Sequence, residues 1–171
     1  MSRPIAVFGL PEEKFVDQVL RLRKRIFKAG KLEEAELLTL PHLTILINTN
    51  LDDLVTNEFL SQKIKSLVSV IKPFTITISE FEKMDKSIIA KFDTSFTRKL
   101  VSQMSSVLPG FRPVATDFVK ILRRVVPTSI DETLETVKQR FEKEIIIDRI
   151  CIASGTLRQD DLIWTGKLGT K

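Results

Sequence analysis

Two rhythms of apolar residues alternate along the chain. Ile5-Ala6-Val7-Phe8-Gly9-Leu10 is a short apolar run stopped by Pro11, the signature of a buried strand. From Glu12 to Ala29 the rhythm changes: Phe15, Val19, Leu22 and Ile26 recur at three-to-four spacing. That spacing predicts a helix, with Glu12 and Glu13 at its positive end and Lys28 and Gly30 closing it. The basic residues Arg21, Arg23, Lys24 and Arg25 on this helix could face phosphates, but a solvated face is the expectation. Lys31 to Leu40 reads as a loop or short helix, and Pro41-His42-Leu43-Thr44-Ile45-Leu46-Ile47 as a β-branched strand ended by Asn48-Thr49-Asn50.

A second helix is predicted from Leu51-Asp52-Asp53 to Ile71, with Leu54, Phe59, Ile64, Leu67 and Val68 inward. Pro73 to Ile78 alternates as a half-buried strand, Phe81 to Lys86 is a polar turn, and Ser87 to Asp93 completes a hairpin. A helix follows from Thr94 or Ser95 to Leu108, stopped by Pro109-Gly110. Phe118 to Val126 is strand-like, Ser129 to Glu142 helical and Glu144 to Ile152 a strand, and a turn at Ser154-Gly155 precedes a last strand near Leu162 to Leu168. Interleaved helices and strands with a hairpin predict an α/β or α+β class with a mixed sheet. Strand, helix and strand occur in that order at Ile5–Ile47 and again at Ile88–Val126, a faint internal repeat whose third elements would lie side by side.

The 171 residues suit a single domain. The chain has one cysteine, Cys151, and one histidine, His42, which excludes a disulfide framework, CxxC zinc sites and any site needing two imidazoles. No metal and no cofactor is expected. An excess of 27 basic over 22 acidic residues, net +5, favours anionic partners. No signal peptide or membrane-length apolar run is recognised, so a cytoplasmic protein is expected, with the nucleus also open.

The single histidine is the best candidate for chemistry. On a strand, His42 and Thr44 share a face, where an imidazole can move a proton and a hydroxyl can hold a phosphate oxygen. Pro41-His42-Leu43-Thr44-Ile45-Leu46 resembles the first H-x-T motif of the 2H phosphoesterase superfamily, which includes 2′-5′ RNA ligase-like proteins and cyclic phosphodiesterases. Lys72-Pro73-Phe74 to Phe92 is similar to that family's Pro-Phe-led strand and hairpin, and Ile150 to Ser154 with Ile163-Trp164 to its closing strands.

The resemblance implies an α+β, bilobal fold in which two pseudo-symmetric lobes with antiparallel or mixed sheets line a central cleft, helices outside. It also implies metal-independent chemistry on cyclic phosphates of nucleotides or RNA ends, with one histidine as base, the other as acid, and threonines on the phosphate. RNA or a phosphorylated nucleotide is the implied partner, without a membrane, and a monomer is expected. The chain departs from that pattern because the second motif has no histidine. One register, Pro113-Val114-Ala115-Thr116, keeps the proline and threonine; the other, Phe118-Val119-Lys120-Ile121-Leu122-Arg123, keeps the strand and the trailing arginine. The second is favoured because Asp117 interrupts the first. His42 and Thr44 are therefore the expected catalytic residues, and Lys120, Phe118 and Arg123 the expected substrate-binding ones. Whether such a site turns over or only binds is open at this level, as is a role in protein contacts alone.

Overall fold

Both faces of the first apolar run are buried, which is why it is a strand: Ile5 and Val7 on one side, Phe8 and Leu10 on the other. In the computed structural model of the chain, which describes residues 3–114, 117–155 and 157–169, this run is β1 (Arg3–Pro11). The elements that follow are α1 (Glu13–Lys28), β2 (Leu43–Leu51), α2 (Asn57–Val70), β3 (Phe74–Met84), β4 (Ser87–Phe92) and α3 (Ser95–Val107). The chain continues through β5 (Arg112–Pro113), β6 (Phe118–Leu122), α4 (Ile130–Arg140), β7 (Glu144–Ser154) and β8 (Leu162–Lys167). The strands form one sheet in the order β5-β2-β1-β7-β3-β4-β6, with β8 also paired to β7.

Every ladder among the described strands is antiparallel, not mixed as the alternation of helices and strands suggests. The reason lies in the connections. A helix alone would return the chain for a parallel partner. After α1 the stretch 29–42, with a single helical turn at Glu34–Glu36 and isolated bridges at Leu32 and Thr39, brings the chain back so that β2 runs antiparallel to β1. β6 likewise pairs antiparallel with β4, so each strand–helix–strand unit pairs its own two strands. Only residues 114–117 join β5 to β6, at opposite ends of the strand order. The five steps from Pro113 to Phe118 span at most about 18 Å. The sheet must therefore curl until its ends approach.

Helices cover one face. The stripes of α1 (Phe15, Val19, Leu22), α2 (Leu60, Ile64) and α3 (Leu100, Met104) enter one core with Val7, Leu46, Ile88, Leu122 and Ile152. The opposite face of β1 and β7 carries a smaller cluster of Phe8, Leu10, Leu40, Cys151 and Ala153, with Val16 of α1.

Several expected boundaries move. β3 continues to Met84, so Phe81 to Lys86 is mostly strand, held by pairs such as Glu80 with Lys91 and Phe81 with Ala90, and only Asp85-Lys86 turn. β2 runs on to Leu51, which pairs with Arg3, and α2 starts at Asn57, where the Thr56 hydroxyl accepts from Phe59 N–H. Leu54, 86% exposed, precedes that helix, and Phe59 is also exposed; neither faces inward. β6 stops at Leu122 because Arg124 turns into the left-handed region, and α4 ends before Phe141, which is buried.

At β8, Trp164 and Gly166 point the same way, and the indole lies over the glycine where a Cβ would sit. Gly166→Ala is expected to cost about 1–3 kcal/mol through overpacking, read as a lower urea midpoint at unchanged slope.

Candidate functional site

Two ladders at opposite ends of the sheet order share one irregularity. On β1–β2, Gly9 pairs with Leu43, Phe8 with Thr44 and Val7 with Leu46, leaving Ile45 as the extra residue of a bulge. On β4–β6, Ala90 pairs with Val119, Ile89 with Lys120 and Ile88 with Leu122, leaving Ile121 as the extra one. The two ladders therefore match in register. Lys120 stands where Thr44 stands, and Phe118 stands where His42 does. Paired residues share a face, so Thr44 lies with Phe8 and Lys120 with Ile89, both on the side of the sheet away from the main core.

His42 sits one residue before β2 rather than within the strand, on the Thr44 side, and is 9% exposed. Its Nδ1 lies 2.7 Å from the Leu40 carbonyl oxygen, and its ring packs edge-on against Phe8 at 5.4 Å between centroids. A carbonyl only accepts, so Nδ1 carries the proton and Nε2 presents a lone pair. Burial is the main force holding the imidazole neutral. The positive charges of Arg123, Arg23 and Lys120 act the same way against the Leu40 bond, and the pKa falls from 6.5 to about 4.

Beneath this lies a buried ion network centred on Arg23 of α1. Arg23 and Glu36 are each 1% exposed. The Arg23 guanidinium donates to the Ile121 carbonyl at 2.9 Å, to the Glu36 carbonyl at 3.3 Å and to the Thr39 carbonyl, and its Nη2 stands 3.4 Å from Glu36 Oε1. Glu36 Oε1 also accepts the Arg123 N–H at 3.1 Å, and Arg123 Nε stands 3.9 Å from Oε2. One cation thus joins the bulge residue beside Lys120 to the backbone that precedes Leu40 and His42. Arg23 is no part of a solvated face, contrary to the expectation for the basic run. Its position among Val19, Leu22 and Ile26 was the available signal: it falls on the apolar stripe.

Other groups share this face. Lys91, opposite Phe118, pairs with Glu82 at 3.1 Å. Cys151, opposite Phe8, has its Sγ 3.5 Å from Thr165 Oγ1, and burial raises its pKa to about 11, so the thiol stays protonated. In the alternative register, Pro113 pairs with Leu46 on the outer edge of β2 and the Val114 N–H bonds the Ile45 carbonyl. Thr116 lies outside the described residues. Arg123 is partly exposed, but its side chain is directed to Glu36.

No known protein family and no curated protein matches the sequence. Solved structures do. The structure of TT0787 of Thermus thermophilus aligns over 99% of each chain with a TM-score of 0.57 at 16% identity. A phosphoesterase crystal structure aligns over 98% of this chain and 99% of that one, TM-score 0.55 at 10% identity. E. coli LigT complexed with 3′-AMP aligns over 98% of this chain and 99% of its own, TM-score 0.52 at 10% identity. The fold is therefore the 2H phosphoesterase fold, an antiparallel curled sheet with helices, as the first motif implies.

Proposed function

We propose that the face bearing His42, Thr44 and Lys120 binds the phosphate of a nucleotide or RNA end, and that binding rather than rapid hydrolysis is its function. The matched bulges carry this reading, because they bring a hydroxyl and an ammonium to equivalent places on the two units. A threonine O–H and a lysine N–H donate to phosphate oxygens, and the ammonium supplies the charge. His42 contributes a neutral imidazole whose tautomer is set by Leu40. LigT structures hold 3′-AMP and NADP+, which supports a nucleotide as the ligand class.

Phe118 supports binding over turnover. In-line displacement at a cyclic phosphate needs a proton taken from water and another given to the departing sugar oxygen, each typically worth about 10²–10⁴-fold. A phenyl ring does neither. A slower hydrolysis remains the second reading, favoured by the lone pair on Nε2: His42 would take the water proton as the P–O bond to the sugar breaks, and Lys120 would neutralise the leaving oxygen.

Titrating 3′-AMP and inorganic phosphate into the protein tests both. Binding is expected to weaken at least tenfold in Lys120→Glu. Undiminished binding there, or none in the wild type, overturns the proposal. With 2′,3′-cyclic AMP as substrate, product formation lost in His42→Gln would replace the first reading with the second.

A further inference from the structure

A second positive surface lies across the sheet from His42. Arg21 and Arg25 are one turn apart on α1, about 6 Å along its axis, and both are exposed. With Arg140 at the end of α4 they line a groove of about 360 Å³ whose floor is Leu22 and Phe141. These two apolar residues belong to the main core, opposite the cluster that contains Phe8. The α4 end is fastened to α1 by the Gln18 amide, which donates to the Arg140 carbonyl at 2.9 Å, and by Phe15 stacked edge-on against Phe141.

None of the three guanidinium groups is paired with a carboxylate among the described residues; Arg21 reaches only the Asp17 carbonyl, at 3.4 Å. That contrasts with Lys31, Lys83 and Lys138, which are paired with acidic side chains. Arg21 and Arg140 also border the adjoining groove, where Lys14 stands with Glu12, Glu142 and Glu144, so an anion avoiding those carboxylates runs from Arg140 past Arg21 to Arg25.

We propose that this groove binds the phosphate backbone of single-stranded nucleic acid, without reading its sequence. Three forked donors fit phosphate oxygens pairwise, and a line of them fits a polymer better than a single ion. Phe141 on the floor is only 6% exposed, too little for a base to stack on, so affinity comes from charge and is salt-dependent. The site is separate from the His42 face, and either can fail without the other.

The test uses a labelled single-stranded RNA of mixed sequence with hydroxyl ends, the full chain, and the triple variant Arg21→Glu/Arg25→Glu/Arg140→Glu. Lys63→Glu/Lys65→Glu on exposed positions of α2 serves as the charge control. Three lost phosphate contacts should lower the slope of log affinity against log salt by about 2, and affinity at low salt by at least tenfold. The control pair should change far less, and 3′-AMP binding should be unchanged in the triple variant. An unaltered slope, an equal loss in the control, or loss of binding to phosphatidylserine vesicles without loss of RNA binding would each overturn the proposal.

Discussion

The only imidazole signal in the NMR spectrum of this protein is expected to titrate near pH 4, far below the ordinary 6.5 of a histidine. Because the chain has one histidine, no assignment ambiguity arises. Stability should follow. His42 has a depressed folded-state pKa, so between about pH 4 and 6.5 the unfolded chain binds more protons than the folded one, and stability rises with pH across that window. The histidine contribution is complete above pH 6.5 and is lost as pH falls towards 4, by roughly 3 kcal/mol. Urea midpoints of wild type and His42→Gln, compared from pH 4 to 7, isolate this part, since the carboxylates titrate in both. Glutamine keeps a donor for the Leu40 carbonyl. An imidazole titrating near 6.5, or parallel pH profiles, would show the ring open to water. Phosphate bound beside His42 adds negative charge, so saturating 3′-AMP should raise the imidazole pKa; an unmoved titration would place the nucleotide elsewhere.

Much of this architecture was readable from residue order. The apolar stripe of α1, the cap and Pro109-Gly110 stop that bound α3, and the β-branched runs of β2 and β7 locate the elements because each pattern matches one local geometry. The H-x-T segment pointed to the 2H fold, while the register of the second segment rests on long-range pairing, the bulges at Ile45 and Ile121, that no local pattern encodes. Other features depended on distant partners. Glu80 and Glu82 flank or fall in the segment that reads as a turn, but pair across to Lys91 and Ile89, which no local pattern encodes. Leu54 reads as core by type and lies outside. The antiparallel return of β2 depends on the stretch after α1, whose course is set by contacts far apart in sequence, such as Glu33 N–H to the Arg124 carbonyl at 3.2 Å. The network centred on Arg23 was hidden for the same reason: Glu36, Thr39 and Ile121 lie outside its helix, the last of them in a distant strand.

That network carries the other large effect. Arg23→Met is expected to destabilise the fold by about 3–5 kcal/mol, because it leaves the Glu36 carboxylate buried without its main cation and strips the Thr39 and Ile121 carbonyls of a donor. Arg25→Met, two residues along and exposed, should stay within about 0.5 kcal/mol. The mechanism has a pH signature. Burial already raises the Glu36 pKa above its ordinary 4.5 against the pull of Arg23 and Arg123, and removing Arg23 raises it further. A carboxyl whose folded pKa exceeds its unfolded value stabilises below the unfolded pKa and loses that contribution as pH rises through the folded one. The loss in Arg23→Met should therefore be smaller at pH 5 than at pH 8. Replacing both partners, Arg23→Met with Glu36→Leu, should recover most of it, since an apolar pair leaves no stranded charge. If the double variant is no more stable than the single one, the cost lies in the lost carbonyl contacts instead. The two halves of the site are also coupled here, because Arg23 bridges the bulge beside Lys120 to the backbone ahead of His42. In the refolded double variant, 3′-AMP affinity should still fall, while Arg23→Lys, which keeps a cation and fewer donors, should lie between. Full affinity in the double variant would confine Arg23 to holding the fold.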